Sequence, residues 1–325
     1  MTKAIRIHAP GGPEALSYDD IELTAPAEGE VQLRQTAIGL NFIDVYHRTG
    51  LYPIPDMPAV IGLEAAGVVE TVGAGVTELS PGDRVAYANP PLGAYAQARN
   101  MPAHRLIKLP EQISDEQAAA IMLQGMTVEY LIRRTYQVKA GDTVLFHAAA
   151  GGVGLMACQW LKHLGATVIG TVGSEEKADL AKANGCDHTI LYNKEDIAAR
   201  VREITDGAGV PVVYDSVGKD TFEASIDSLS PLGLFVTFGN ASGPLAPIDP
   251  GFLAQKGSLF MTRPTLMTYT AKREDMVKSA EALFDVVGSG AVKVAINQRY
   301  PLAEAADAHR DLEARKTTGS TILLP

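Results

Sequence analysis

The segment DTVLFHAAAGGVGLMACQWLKHLG, residues 142–165, constrains the fold more than any other stretch of this chain. An apolar run of strand character breaks into glycines, then resumes with a helical rhythm closed by Gly165. The same alternation continues downstream. ATVIGTVG reads as a strand, SEEKADLAKANG as a helix, HTILYN as a strand and KEDIAARVREITD as a helix. VPVVYDSVG, GLFVTFGN and GSLFMTRP add three more apolar strands. Alternation of this kind demands parallel strands joined by right-handed helical crossovers.

The glycines fall as Ala149-x-Gly151-x-x-Gly154, between a strand and a helix. That context turns a weak pattern into the fingerprint of a Rossmann-type doubly wound sheet, here with alanine at its first position. Gly151 and Gly152 would bring backbone amides against a pyrophosphate, and Gly154 would let the helix pack closely on the strand. The helix N-terminus adds outward N–H groups and a positive dipole end.

The ribose-reading position lies roughly 20 residues beyond the loop, at the end of the second strand. The chain reads GTVGSEEK there, without a carboxylate at the strand end. Gly173 leaves room for a 2′-phosphate, Ser174 and Lys177 supply donors, and Tyr192 after the third strand supplies a hydroxyl. These residues favour NADPH. Glu175 and Glu176 argue for NADH, unless both face solvent.

The first third has a different texture. KAIRIHA, ALSYDDIEL, EVQLRQTAIGL, AAGVVETVG, DRVAYA and GAYAQARN are short strands separated by Pro- and Gly-rich turns, as in a compact β barrel. Ser114 and Gln117 then form a capping-box pattern that opens a long helix over SDEQAAAIMLQGMTVEYLIRR. The change of domain is expected inside this helix, near Gly125. The tail, with REDMVKSAEALFDVVGSG, VKVAINQRYPL, AEAADAHRDLEAR and STILLP, reads helix, strand, helix, strand, and is expected to return to the first domain. The expected division is 1–124 with 267–325, and 125–266.

A net charge of −10 in 325 residues argues against a nucleic-acid or anionic-membrane partner, both of which select a basic face. Two cysteines, Cys158 and Cys186, build neither a disulfide framework nor a four-cysteine zinc site. No stretch approaches the roughly 18 apolar residues of a membrane span, and MTKAIRIHAPGG lacks a secretory apolar core, so a soluble cytoplasmic protein is expected.

NFIDVYHRTGLYP, GLEAAGVVETVG, PGDRVAY, AAAGGVGLMACQW, YDSVG and FGN resemble, in this order, the medium-chain dehydrogenase/reductase superfamily. The resemblance covers essentially the whole chain and is narrower to the zinc-free quinone oxidoreductase branch that includes zeta-crystallin. It implies an α/β protein with a GroES-like β-rich barrel catalytic domain beside the Rossmann domain. The zinc alcohol dehydrogenases of this superfamily carry a ligand cysteine where this chain has Asn41, and a histidine where it has Leu63. Leucine cannot ligate zinc, and an amide oxygen replaces a thiolate poorly. NPPLGAYAQ lacks the cysteines of a structural zinc loop. The resemblance therefore implies NADPH-dependent reduction of a quinone rather than zinc-assisted alcohol oxidation.

It also implies site residues. Asn41, Tyr46 and Tyr52 would meet the quinone, although the two tyrosines also fit plain core aromatics of a loop. Gly152 and Val153 would lie at the pyrophosphate, Ile43, Asp44, Thr127, Tyr130, Ser216, Val217, Phe238, Gly239, Asn240 and Ala241 would line the cofactor, and Arg263 and Arg315 are phosphate candidates. Glu64 is expected to orient the loop, and the spacing of Asp44 and Arg48 suits a local ion pair. GSLFMTRP is expected to pair across a two-fold axis in a homodimer, near Gly257–Arg263. Reduction of an activated carbon–carbon double bond, and nucleotide binding without important catalysis, remain as alternatives.

Overall fold

The computed structural model describes residues 1–325. Two compact units emerge: Met1–Met126 with Thr270–Gly288 and Val294–Pro325, and Thr127–Tyr269 with Ser289–Lys293. The first segment contributes β1 (Thr2–Ile7), β2 (Leu16–Ile21), β3 (Glu30–Leu40), α1 (Phe42–Thr49), β4 (Ala59–Val60), β5 (Glu64–Val72), β6 (Arg84–Ala88), β7 (Ala98–Pro102), β8 (Ile107–Lys108) and α2 (Asp115–Tyr130). The α2 start carries the expected reciprocal cap. Ser114 N–H donates to Gln117 Oε1 at 2.9 Å, and Gln117 N–H donates to Ser114 Oγ at 3.2 Å. The division between the units falls inside α2.

Alternating strands and helices then build the second unit: β9 (Thr143–Phe146), α3 (Gly152–His163), β10 (Thr167–Val172), α4 (Glu175–Ala183), β11 (His188–Leu191), α5 (Ile197–Ile204), β12 (Val210–Asp215), α6 (Phe222–Ser228), β13 (Leu229–Thr237), α7 (Pro250–Gln255), β14 (Phe260–Thr262) and α8 (Leu266–Tyr269). Its six strands are all parallel, in the order β11-β10-β9-β12-β13-β14. This is the doubly wound order, and it reverses direction between β9 and β12. Ligands of such sheets bind at that reversal, outside the carboxyl ends of the strands. Leu145, Ile169, Ile190, Val213 and Phe235 form the core beneath it.

The tail supplies α9 (Arg273–Gly288), β15 (Ile296–Pro301), α10 (Ala305–Glu313) and β16 (Ser320–Leu324). Strand β16 pairs antiparallel with β3 and parallel with β15, so the tail extends the first unit's large sheet, β15-β16-β3-β5-β6-β8, with β7 also on β3. Leu302, Ala305, Ala308 and Leu323 enter the same core as Ile5, Leu33, Ile38 and Tyr87. A smaller sheet, β2-β1-β4, completes this unit. No helix is long and apolar enough to cross a membrane.

The close approach of α3 to β9 depends on Gly154. A Cβ there would lie 2.3 Å from Ala148 O and 2.7 Å from Ala149 Cα, both backbone atoms that cannot swing aside. Gly154→Ala is expected to destabilise the second unit by about 1–3 kcal/mol through forced separation of helix and strand. Thermal unfolding followed by circular dichroism measures this, and an unchanged Tm would contradict it.

Candidate functional site

The second unit carries most of the expected cofactor residues, at the carboxyl ends of its strands. Leu155 N–H makes the first helical bond of α3, to Gly151 O at 2.8 Å, so the N–H groups of Gly152, Val153 and Gly154 precede the ladder and offer themselves as donors. Ala148, just before the loop, has φ of +56°. Its carbonyl accepts Gly151 N–H at 3.0 Å and so closes the turn. Across the reversal, Ser216 O accepts Ala241 N–H at 3.2 Å and Val217 O accepts Ser242 N–H at 2.8 Å. The loops after β12 and β13 are thereby joined, which brings Ser216, Val217, Phe238, Gly239, Asn240 and Ala241 together. Gly239 is required there, since a Cβ would lie 2.2 Å from Ser216 O. Arg263, after β14, donates to Gly239 O at 3.0 Å and Thr237 Oγ1 at 3.3 Å.

The ribose-reading residues also converge. Ser174 caps α4, its hydroxyl accepting Lys177 N–H at 3.3 Å. A Cβ on Gly173 would lie 2.5 Å from the Tyr192 hydroxyl, so glycine makes room for that ring. Asn193 Nδ2 donates to Gly173 O at 3.1 Å and fixes the Tyr192 turn to the strand end. Of the two carboxylates that argued for NADH, Glu175 forms an exposed ion pair with Lys194 at 3.1 Å, and Glu176 is exposed as well. A backbone-donor turn and a strand end that carries the Ser174 and Tyr192 hydroxyls, with Lys177 in the first turn of α4, form a donor set suited to a phosphorylated dinucleotide.

Thr127 and Tyr130 are buried near the end of α2. Burial raises the Tyr130 phenol above its ordinary range, so it stays protonated. Tyr130 stacks on Tyr269 of α8, with centroids 4.5 Å apart and planes 13° from parallel, and the Arg134 guanidinium lies 4.9 Å over the Tyr269 ring. Sequence reasoning missed Tyr269. Its only trace was an aromatic in LMTYT, with nothing to show that it meets a residue 139 positions earlier.

In the first unit, α1 and its flanks carry the residues expected to meet an acceptor. Asn41 precedes the helix, and its N–H donates to Asp44 Oδ2 at 2.9 Å. The Asn41 side chain is oriented from two sides. Its Nδ2 donates to Glu64 Oε2 at 2.6 Å, and its Oδ1 accepts from Gln124 Nε2 at 3.3 Å. Glu64, fully buried, also accepts the Leu123 N–H of α2 at 2.6 Å. Ile43 is half-buried in α1. Tyr46 and Tyr52 meet edge to face at 5.2 Å, and His47 packs on Tyr52 at 5.9 Å. The α1 segment therefore places an oriented amide and two tyrosines within one short stretch. Arg315 belongs to this unit, exposed just past α10, with φ of +58°.

The expected Asp44–Arg48 pair does not form. Arg48 instead donates to both Glu313 oxygens, at 2.9 and 2.8 Å, and to Gly11 O at 3.1 Å. Its Nη1 also meets His309 Nδ1 at 2.9 Å. Helical spacing made the local pair available, but the tail brings a bidentate carboxylate, which suits a buried guanidinium better. Since Arg48 only donates, His309 Nδ1 is the acceptor and the proton sits on Nε2. Nε2 then donates to Tyr95 Oη at 3.1 Å, and Tyr95 donates to Asp44 Oδ2 at 3.0 Å. Burial and Arg48 push His309 down to about 3, which keeps it neutral.

Among all residues, no group of three or more His, Cys, Asp or Glu side chains is placed to hold a metal ion. Two family models match the chain: the alcohol dehydrogenase GroES-like domain over residues 27–111, and zinc-binding dehydrogenase over residues 152–285. A quinone oxidoreductase of Pseudomonas aeruginosa is 55% identical over 325 residues, covering all of both chains. A 2-haloacrylate reductase of a Burkholderia species is 48% identical, covering 100% of this chain and 99% of its own. The crystal structure of Escherichia coli quinone oxidoreductase complexed with NADPH superposes with a TM-score of 0.98 at 50% identity, covering 99% of this chain and 100% of its own.

Burial pushes the Glu64 carboxyl up to about 8 from an ordinary 4.5, against the pull of Asn41 and the α2 amides. The folded protein then holds a proton between these pH values that the unfolded chain has lost. The Glu64 contribution to stability is full below 4.5 and declines as pH rises toward 8. Asp44, raised by burial from 3.8 to about 7, acts in the same direction. Thermal melts across this range are expected to show Tm falling with pH, and Glu64→Gln to flatten the slope. Equal slopes in the two proteins would contradict the assignment.

Proposed function

The chain belongs to the quinone oxidoreductase family of the medium-chain dehydrogenase/reductase superfamily, and from that membership we propose that it reduces quinones with NADPH, by hydride transfer and without zinc. The observation that carries this reading is the oriented amide of Asn41, which stands where zinc dehydrogenases of the superfamily carry a ligand cysteine. One Nδ2 hydrogen is committed to Glu64 at 2.6 Å, which leaves the second for a quinone oxygen. NADPH supplies a hydride from the nicotinamide C4 when bound. Asn41 would polarise the acceptor carbonyl, and Tyr46 and Tyr52 would wall the ring and exclude water.

In the second unit, Gly152 and Val153 would hold the pyrophosphate on backbone N–H groups. Gly173, Ser174, Lys177 and Tyr192 would hold the 2′-phosphate, an anion tolerated beside Glu175 because Lys194 balances that carboxylate. Ser216, Val217 and Phe238–Ala241 would line the dinucleotide, with Tyr130 at its nicotinamide end. A second reading, reduction of an activated carbon–carbon double bond, draws support from the 48% identical 2-haloacrylate reductase. Both reactions deliver hydride to an electron-poor carbon conjugated to a polarised oxygen.

The purified, chelator-treated protein is expected to oxidise NADPH faster than NADH when a small 1,4-benzoquinone is present. Asn41→Ala should lower kcat about 10²-fold, as expected for loss of a donor to developing charge. Lys177→Ala should raise KM for NADPH with little effect on NADH. Steady-state absorbance assays check all three. Quinone-independent oxidation, or turnover restored only by added zinc, would refute the proposal.

We further propose a homodimer through the edge strand β14. Phe260 on that edge is 61% exposed and Leu232 beside it 67%, an apolar liability if left uncovered. Phe260→Lys is expected to convert a dimer to a monomer in analytical ultracentrifugation, and a monomeric wild-type protein would refute pairing.

A further inference from the structure

The second unit contains a buried hydrogen-bond chain that none of the expected site residues required. Asp215, at the end of β12, is fully buried and accepts four donors. Its Oδ1 takes Val217 N–H at 2.7 Å and Gly218 N–H at 3.0 Å, and its Oδ2 takes the hydroxyls of Thr221 at 2.7 Å and Ser225 at 2.8 Å. Ser225 has one proton and gives it to Asp215. Its oxygen must therefore accept from His147 Nε2, 2.9 Å away. With the proton on Nε2, His147 Nδ1 is an acceptor and receives the Thr171 hydroxyl at 3.0 Å. Thr171 Oγ1 in turn accepts Ala148 N–H at 3.3 Å. From Ser225 through His147 to Thr171, every proton has one allowed place.

The chain ends on the two backbone segments that flank the sheet reversal. At one end it holds Ala148, the residue with φ of +56° whose carbonyl closes the glycine turn on Gly151. A non-glycine residue in that conformation is strained and persists only where neighbours impose it. Thr171 imposes it from both atoms that face the turn, because its backbone carbonyl also accepts Ala149 N–H at 3.0 Å. At the other end Asp215 fixes the peptides of Val217 and Gly218. His147, Thr171 and Ser225 are buried, so none of them reaches a bound dinucleotide directly.

We propose that Thr171, His147, Ser225 and Asp215 form one directional hydrogen-bond chain that sets the glycine turn and the loop after β12 together, making them positioning residues for dinucleotide binding. The inference builds on the dinucleotide reading above. Its distinguishing consequence is that a break anywhere in the chain loosens both loops, so breaks at two places are no worse than one. Burial lowers the proton affinity of His147, which keeps the neutral tautomer through the physiological range.

Thr171→Val removes the hydroxyl while keeping the shape, and Ser225→Ala breaks the chain at its other side. NADPH dissociation constants from equilibrium fluorescence titration, kcat, KM for quinone, and Tm would be measured for both, for the double variant and for Thr171→Ser. Each single break is expected to weaken NADPH by about tenfold, with kcat at saturating NADPH and quinone KM within about twofold. Thr171→Ser should restore affinity, and the double variant should match the weaker single variant. Unchanged NADPH affinity in variants that merely melt earlier would overturn the proposal, as would additive losses in the double variant. If Thr171→Val fails to fold, Ser225→Ala and Thr171→Ser still decide the question. A wild-type protein that binds neither NADPH nor NADH would sink the dinucleotide reading itself, whereas tight wild-type binding with insensitive variants sinks only the chain.

Discussion

The carbonyl of Ala148 lies where a side chain on Gly154 would be, 2.3 Å from an added Cβ. Because that space is empty, α3 presses onto the end of β9 and its first N–H groups face the reversal of the sheet. The approach requires Ala148 to hold a positive φ, and that conformation requires donors and acceptors from β10 to be in place. The six-stranded order then does the rest. Strands β9, β10 and β12 are neighbours, so a loop on one can be restrained by side chains on the others. A phosphate site built on backbone N–H groups, as proposed, would depend on this restraint, because Gly152 and Gly154, two of the three residues that would offer them, carry no side chain.

The first unit solves a similar problem with charge. Asp44, Arg48 and Glu64 are buried around the Asn41 segment, where a charge must be paired or hydrogen-bonded and a carboxyl is pushed to keep its proton, as Asp44 and Glu64 are. Arg48 is satisfied by a two-oxygen grip on Glu313, so the tail helix α10 neutralises a cation in α1. Asp44 Oδ1 has no partner, while Oδ2 takes both of its donors. A proton bound by Asp44 would sit on Oδ1, and the hydrogen bonds that hold Asn41 would survive it. In both units a neutral histidine stands mid-chain, its tautomer dictated by a neighbour that can only donate, Arg48 to His309, or whose one proton is already committed, Ser225 to His147.

Local pattern made the architecture legible. The Ser114–Gln117 cap, the glycine turn, the alternation that builds six parallel strands, and the returning tail all depend on neighbours a few residues apart or on simple periodicity. The spacing of Asp44 and Arg48 misled for the same reason. It spoke only of the helix, whereas the partner that won lies 265 residues away in α10. His147 and His309 stood alone in the sequence, far from any ligand-like partner, and nothing local ties His147 to Ser225, 78 positions on. Glu64 was legible as an orienting group through family resemblance. Its grip on an amide in the middle of α2 was not, since a helix interior has no sequence mark for a donated N–H.

On the proposed reading, the strength of the group at position 41 sets which chemistry the first unit would support. A dipositive metal stabilises an alkoxide strongly enough to draw hydride out of an alcohol. One amide N–H contributes far less, in the range of a single donor to an oxyanion. That is insufficient for an unactivated alcohol but adequate for a ring or double bond whose own electron deficiency already favours accepting hydride. Glu64 sharpens the distinction by fixing the direction of the amide and not its charge. As the proposed donor, Asn41 is neutral, oriented and weak, which would suit acceptors defined by electronics more than by shape. Quinones and halogenated acrylates share that property, and it gives a physical reason why relatives with both names have sequences so close to this one.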